Sequence, residues 1–183
     1  LEFRRVLFRS VDGQRRPVRF AILGYGKLGG IELAYSSDLD LVYIHDGEGD
    51  AQQTDGERIV DNGVFFARLA QRLGHVLSTR TRSGVLYEVD LRLRPNGNSG
   101  LPVSSVASYA TYLHEEAWTW EHQALVRARF VCGDPVLYDR FRDIRAEVLQ
   151  STRDEDVLRQ EVRDMRHRMR DELTSGDPNE FDL

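Results

Sequence analysis

Two aspartates two residues apart, Asp38 and Asp40, stand at the head of a β-rich apolar run, Leu39 to Ile44. On an extended strand residues i and i+2 project to the same face, so both carboxylates can serve one site. Such a pair suits Mg²⁺, a hard ion that takes one or two carboxylates and completes its shell with water and substrate phosphates. A second charged run follows downstream at Glu88, Asp90, Arg92 and Arg94. Asp90, with Glu88 as the neighbouring candidate, offers a third carboxylate, able to complete a metal shell and to help an attacking hydroxyl lose its proton. Arg92 and Arg94 can neutralise phosphate charge or pair with the aspartates. Carboxylates clustered this closely are costly without a cation, which favours a metal site over salt bridging as the reason for the triad.

The elements that must hold these groups begin at Phe20. A short buried strand, Phe20 to Leu23, runs into a glycine-rich turn, Gly24 to Gly30, with Lys27 inside it as the only lysine among 25 basic residues. Gly24 to Gly29 matches G-x-G-x-x-G, the dinucleotide-binding pattern. The helix that can follow, Lys27 to Tyr35, is too short for a crossover to a parallel neighbour. The next strand also carries its acids at its start and a second acidic strand follows, neither of which a dinucleotide site uses. The glycines instead let backbone N–H groups approach the phosphates of a nucleoside triphosphate. The sequence from Val85 to Arg94 alternates strictly and predicts a long strand with Tyr87, Val89, Leu91 and Leu93 on its core face.

Around this centre, helical periodicity predicts helices over Glu57 to Ser78, from Ser104 or Ser105 to about Glu116, over Ala117 to Phe130, after the cap Asp134-Pro135, and over Asp154 to Leu173. Trp118 and Trp120 read as core aromatics. The net charge of −5 over 183 residues gives no reason to expect nucleic-acid or membrane binding, and no apolar run approaches the roughly 18 residues of a spanning helix. The single cysteine, Cys132, reads as a small buried or half-buried thiol in a cytoplasmic protein. The chain starts at Leu1 and is expected to be a fragment of something longer, with residues 1–16 a non-native or disordered leader.

Three stretches, GYGKLGGIELAYSSDLDLVYIHD, YEVDLRLRPNGNSG and EEAWTWEHQALVRAR, together resemble a nucleotidyltransferase domain of bacterial glutamine synthetase adenylyltransferase. The resemblance runs from about Phe20 to the end. It implies an α+β fold, with a polymerase-β-like core and mixed sheet over residues 17–103 and an all-helical annex over 104–183. It places the metal-binding pair on Asp38 and Asp40, the third acid on Asp90, and the phosphate loop on Gly29, Gly30 and Ser37, with Lys27 and Arg92 as further nucleotide contacts. It implies ATP as substrate, Mg²⁺ as cofactor, a tyrosine hydroxyl of glutamine synthetase as acceptor, and regulation through a PII signalling protein. The stretch Ala117 to Arg129 looks like the AMP-adding copy of the two such domains in the family. The AMP-removing copy and a noncatalytic nucleotide-binding module stand as alternatives.

Overall fold

The computed structural model describes residues 8–11, 14–35, 37–47, 53–54, 59–85 and 87–175. In chain order the elements are β1 (Phe8–Val11), β2 (Gln14–Pro17), β3 (Phe20–Gly24), α1 (Gly26–Gly29), β4 (Leu39–His45) and α2 (Asn62–Leu77). The short strands β5 (Arg80–Thr81), β6 (Gly84–Val85) and β7 (Val89–Asp90) follow, then a 3-10 turn at Gly97–Ser99 and β8 (Ser104–Ser105). The remainder is α3 (Val106–Glu115), α4 (Thr119–Val126), β9 (Arg129–Gly133), α5 (Pro135–Gln150) and α6 (Glu155–Ser175).

The centre is a five-stranded mixed sheet. β4 pairs antiparallel with β3, β3 antiparallel with β9, and the free edge of β4 takes two short parallel partners, β7 at its start and β8 at its end. Alternation along β3 and β4 sorts their side chains onto two faces. Ala21, Leu23, Val42 and Ile44 join Val106, Tyr109 and Leu113 of α3, Leu125 of α4, and Leu137, Phe141 and Val148 of α5. Leu39, Leu41 and Tyr43 meet Phe66 and Ala70 of α2, with Phe20 and Ile22 packed alongside. The sheet is therefore covered on both faces, as the unbroken apolar stretch in β4 requires.

This confirms the α+β class and the mixed sheet, and it corrects several boundaries. The segment after residue 103 is not all-helical, because it returns β9 to the sheet beside β3. The helix expected over Ala117 to Phe130 ends at Val126, and Arg129 and Phe130 lie in that strand. The part of the leader that is described forms a hairpin, Phe8 opposite Pro17 and Val11 opposite Gln14. α2 starts at Asn62, because the Asp61 carboxylate accepts from the N–H groups of Gly63 and Val64 and caps it there; the expected first turn at 57–58 lies outside the described residues. Trp118 is 60% exposed, and Cys132 is exposed.

The strand expected from Val85 to Arg94 is the largest departure. Val85 pairs instead with Arg80 in a separate hairpin, Val89 and Asp90 are the part that joins β4, and the alternation breaks at Asp90 for a local reason. The Asp90 carboxylate accepts the N–H of Arg92 at 2.7 Å, an Asx turn that pulls the backbone out of extension, and Arg94 N–H then bonds to the carbonyl of Leu91.

Candidate active site

β4 and β7 set the acidic centre. Their parallel register puts Asp40 directly opposite Asp90, and Asp38 lies two residues before Asp40 on the same strand path. Asp38 and Asp40 share their parity with Val42 and Ile44, so they belong to the sheet face covered by α3, α4 and α5. An open cavity of about 450 Å³ is lined by Asp38, Glu88, Asp90, Arg92 and Arg94. The cavity thus gathers Asp38, Asp90 and both predicted arginines, with Asp40 opposite Asp90 in the strand register but outside the cavity lining, and Arg92 arrives from a turn rather than a strand face.

The electrostatics of the two half-buried acids diverge. Burial, and then the neighbouring charges of Asp90 and Asp38, hold the Asp40 carboxyl above its ordinary value, against the pull of Arg92 and Lys27. Asp90 is held below its ordinary value, chiefly by the Arg92 side chain, whose Nε donates to Oδ2 at 2.7 Å, with the Arg92 backbone N–H on Oδ1. Among the described residues, no three His, Cys, Asp or Glu side chains converge into a ready-made metal cluster. Asp90 is turned onto Arg92, and three carboxylates hold apart while only arginine and lysine balance them. The donor set itself, hard oxygens with one member short of countercharge, fits Mg²⁺.

The glycine turn is built differently from expectation. α1 is a single turn. It stops because Ile31 adopts a left-handed conformation, φ 58°, and the N–H of Glu32 closes back on the carbonyl of Lys27, as in a Schellman end. The Gly29 and Gly30 N–H groups are already bonded to the carbonyls of Tyr25 and Gly26 at 2.8 and 3.0 Å. What these glycines provide is close approach. A Cβ on Gly29 would lie 2.0 Å from the Arg127 carbonyl oxygen, and one on Gly26 would lie 2.1 Å from Oδ2 of Asp40. Ser37 is likewise engaged: buried, it donates its N–H to Ala34 O and accepts the Ala34 N–H on its hydroxyl, closing the loop that delivers Asp38. Lys27 is exposed at the turn.

Tyr25 ties these parts together, and sequence reasoning missed it. Its N–H donates to the Asp40 carbonyl at 2.9 Å, its carbonyl accepts from Gly29, and its buried hydroxyl lies 2.5 Å from that of Tyr109 on α3. Burial pushes both phenols up, so neither ionises near neutral pH. The only signal in the sequence was an aromatic inside a glycine-rich turn, where solvent-facing small residues are the rule.

Residues 2–144 match the family model described as glutamate–ammonia ligase adenylyltransferase. The chain belongs to that family. It is 58% identical over 164 residues to the bifunctional glutamine synthetase adenylyltransferase/adenylyl-removing enzyme of Shewanella frigidimarina, covering 90% of this chain and 17% of that protein. The enzymes of the same name from Thioalkalivibrio sulfidiphilus and Hahella chejuensis are 56% and 52% identical, each over 94% of this chain and 18% of their own length. The chain therefore spans less than a fifth of these adenylyltransferases. The match begins at residue 2, within the stretch expected to be a leader, so that stretch aligns with the family as well.

Proposed function

We propose that this chain is a nucleotidyltransferase centre that moves AMP from ATP to a tyrosine hydroxyl of glutamine synthetase. The observation that carries the reading is the parallel register of β4 and β7, which sets Asp40 against Asp90 beside an open cavity lined by Asp38, Asp90, Arg92 and Arg94. Asp38, Asp40 and Asp90 would hold Mg²⁺, which when bound supplies Lewis-acid stabilisation of the phosphoryl oxygens. In the transfer, the tyrosine oxygen forms a bond to the α-phosphorus, the bond from that phosphorus to the bridging oxygen breaks, and pyrophosphate leaves. The phenolic proton passes to the carboxylate cluster, in which Asp40 is the more basic member and Asp90 the more acidic. Arg92 must loosen its hold on Asp90 for that carboxylate to ligate, and its guanidinium is then available to the nucleotide. Lys27, exposed at the turn, supplies a second cation.

The stretch Ala117 to Arg129 supports the AMP-adding direction over the removing one. Both directions are scored by one experiment: glutamine synthetase, unmodified or carrying AMP, is incubated with the chain, Mg²⁺ and either ATP or inorganic phosphate, and its intact mass is measured. The expected result is a gain of one AMP per subunit with ATP, lost in Asp38→Asn and Asp40→Asn. Loss of AMP with phosphate alone would assign the chain to the removing direction, and substantial transfer by either variant would sink the site assignment. A PII signalling protein as a regulatory partner belongs to the same proposal.

A further inference from the structure

We propose that Arg127, seated on the glycine turn, is the cation that binds the β- and γ-phosphates of ATP, and that Glu32 occupies its guanidinium until nucleotide displaces it. This rests on the AMP-transfer reading above and names a recognition residue for it. A triphosphate needs donors at the glycine turn, and there the N–H groups of Gly29 and Gly30 are spent on α1 itself.

Arg127 stands in their place. It is the C-cap residue of α4, its N–H bonded to the Ala124 carbonyl at 3.1 Å and its own carbonyl packed against Gly29. Its guanidinium lies across Gly30, where Nη2 would be 2.5 Å from a Cβ, and it pairs with the Glu32 carboxylate. Gly26 and Gly30 stand at the two ends of the single turn α1 and are bonded to each other across it. Asp40 lies against Gly26 and Arg127 against Gly30. The carboxylate and the guanidinium therefore abut opposite ends of one short glycine-rich turn. A phosphate chain laid along that turn has its reacting end at Asp40 and its terminal phosphates at Arg127.

The Glu32 pair suits an exchange. Both partners are solvent-accessible, 44% for the arginine side chain and 63% for the glutamate, so the pair contributes little and a phosphate can replace the carboxylate. A guanidinium binds phosphate through two parallel N–H donors, which makes arginine better suited here than lysine.

The test is calorimetric titration of the chain with ATP and with AMP, each in the presence of Mg²⁺. Arg127→Ala should weaken ATP binding by at least about tenfold, in line with loss of a charge-assisted contact, and leave AMP binding within about twofold. Arg127→Lys should recover part of the loss. Glu32→Gln should tighten ATP binding severalfold, because it frees the arginine; a merely structural ion pair would give no such gain. Arg159→Ala on α6 controls for net charge and should change nothing. Unchanged ATP affinity in folded Arg127→Ala, equal losses for ATP and AMP, or weaker binding in Glu32→Gln would each overturn the assignment. Should Arg127→Ala fail to unfold cooperatively, Arg127→Lys and Glu32→Gln decide. A wild-type chain that binds no ATP strikes the AMP-transfer reading itself and this inference with it, whereas binding that survives all Arg127 changes removes only the inference.

Discussion

Asp40 carries opposing demands within one side chain. It is proposed above as a metal ligand, yet burial and its acidic neighbours make its charge unfavourable, as the upward displacement of its carboxyl shows. The sign of the effect on stability follows from proton linkage. Its folded value lies above the ordinary 3.8, so the folded state holds the proton longer than the unfolded chain does, and stability is lost as pH rises from that value through the folded one. Asp90 behaves in the opposite sense: held low by Arg92, it contributes stability above its ordinary value of 3.8 that disappears as pH falls through its folded value. Asp40→Asn should therefore cost AMP transfer at least about a thousandfold, given several kcal/mol of metal-borne stabilisation, while raising the melting temperature at neutral pH by roughly 2 °C. Urea melts of both proteins across the acid range check the pH dependence. The advantage of Asp40→Asn should open as pH rises above 3.8 and then level off; a difference independent of pH would mean the Asp40 charge is already compensated.

At the scale of elements, the glycine turn and the two strands beside it work as one fitted piece. Gly29 is where the fit is tightest, since a methyl group there would meet both the Arg127 carbonyl at 2.0 Å and the Gly24 carbonyl at 2.6 Å, neither of which can yield as a flexible side chain would. Gly29→Ala should destabilise the chain by about 3 kcal/mol or more. Gly74, inside α2 with nothing within 4 Å of its added methyl, should give the opposite result, a gain of roughly 0.5–1 kcal/mol on Gly74→Ala. Equal effects at the two positions in denaturant melts would refute the packing account. The same elements mark what the sequence could reveal. β3, β4, the caps at Ser105 and Asp134, and the carboxylate pair follow from periodicity and capping chemistry that act within a few residues. The truncated β7 and the single-turn α1 do not, because each is ended by a local bond that competes with regular structure, from the Asp90 side chain in one case and the Glu32 N–H in the other. Tyr25 with Tyr109 and Arg127 with Glu32 were hidden for a different reason: the partners lie 84 and 95 residues apart, and no periodicity reports on contacts of that range.

Across the whole molecule, the question is where the smallest self-sufficient unit ends. A boundary at residue 103 follows the change from strand-like to helical sequence, but the packing crosses it. β9 covers the outer side of β3, and Val106, Tyr109, Leu113, Leu125, Leu137, Phe141 and Val148 supply most of the layer over Ala21, Leu23, Val42 and Ile44. Burying these seven side chains is worth on the order of 10–20 kcal/mol, against a net stability of ~5–15 kcal/mol for a typical domain. A chain of residues 1–103 should then show no cooperative unfolding, and it would also lack Arg127 and the floor it gives to Gly29. α6 is a different case. It packs on α4, where Thr119 donates to Glu161, and none of its described residues is buried. Its half-buried Leu158, Val162 and Met165 make its removal worth no more than about 2–3 kcal/mol. Residues 1–151 should therefore keep a single cooperative transition and retain ATP binding, measured by urea denaturation and calorimetry on the same preparation. A cooperative 1–103 chain, or a 1–151 chain without a transition, would show that the sheet and its helical cover do not form the one folding unit that β9 implies.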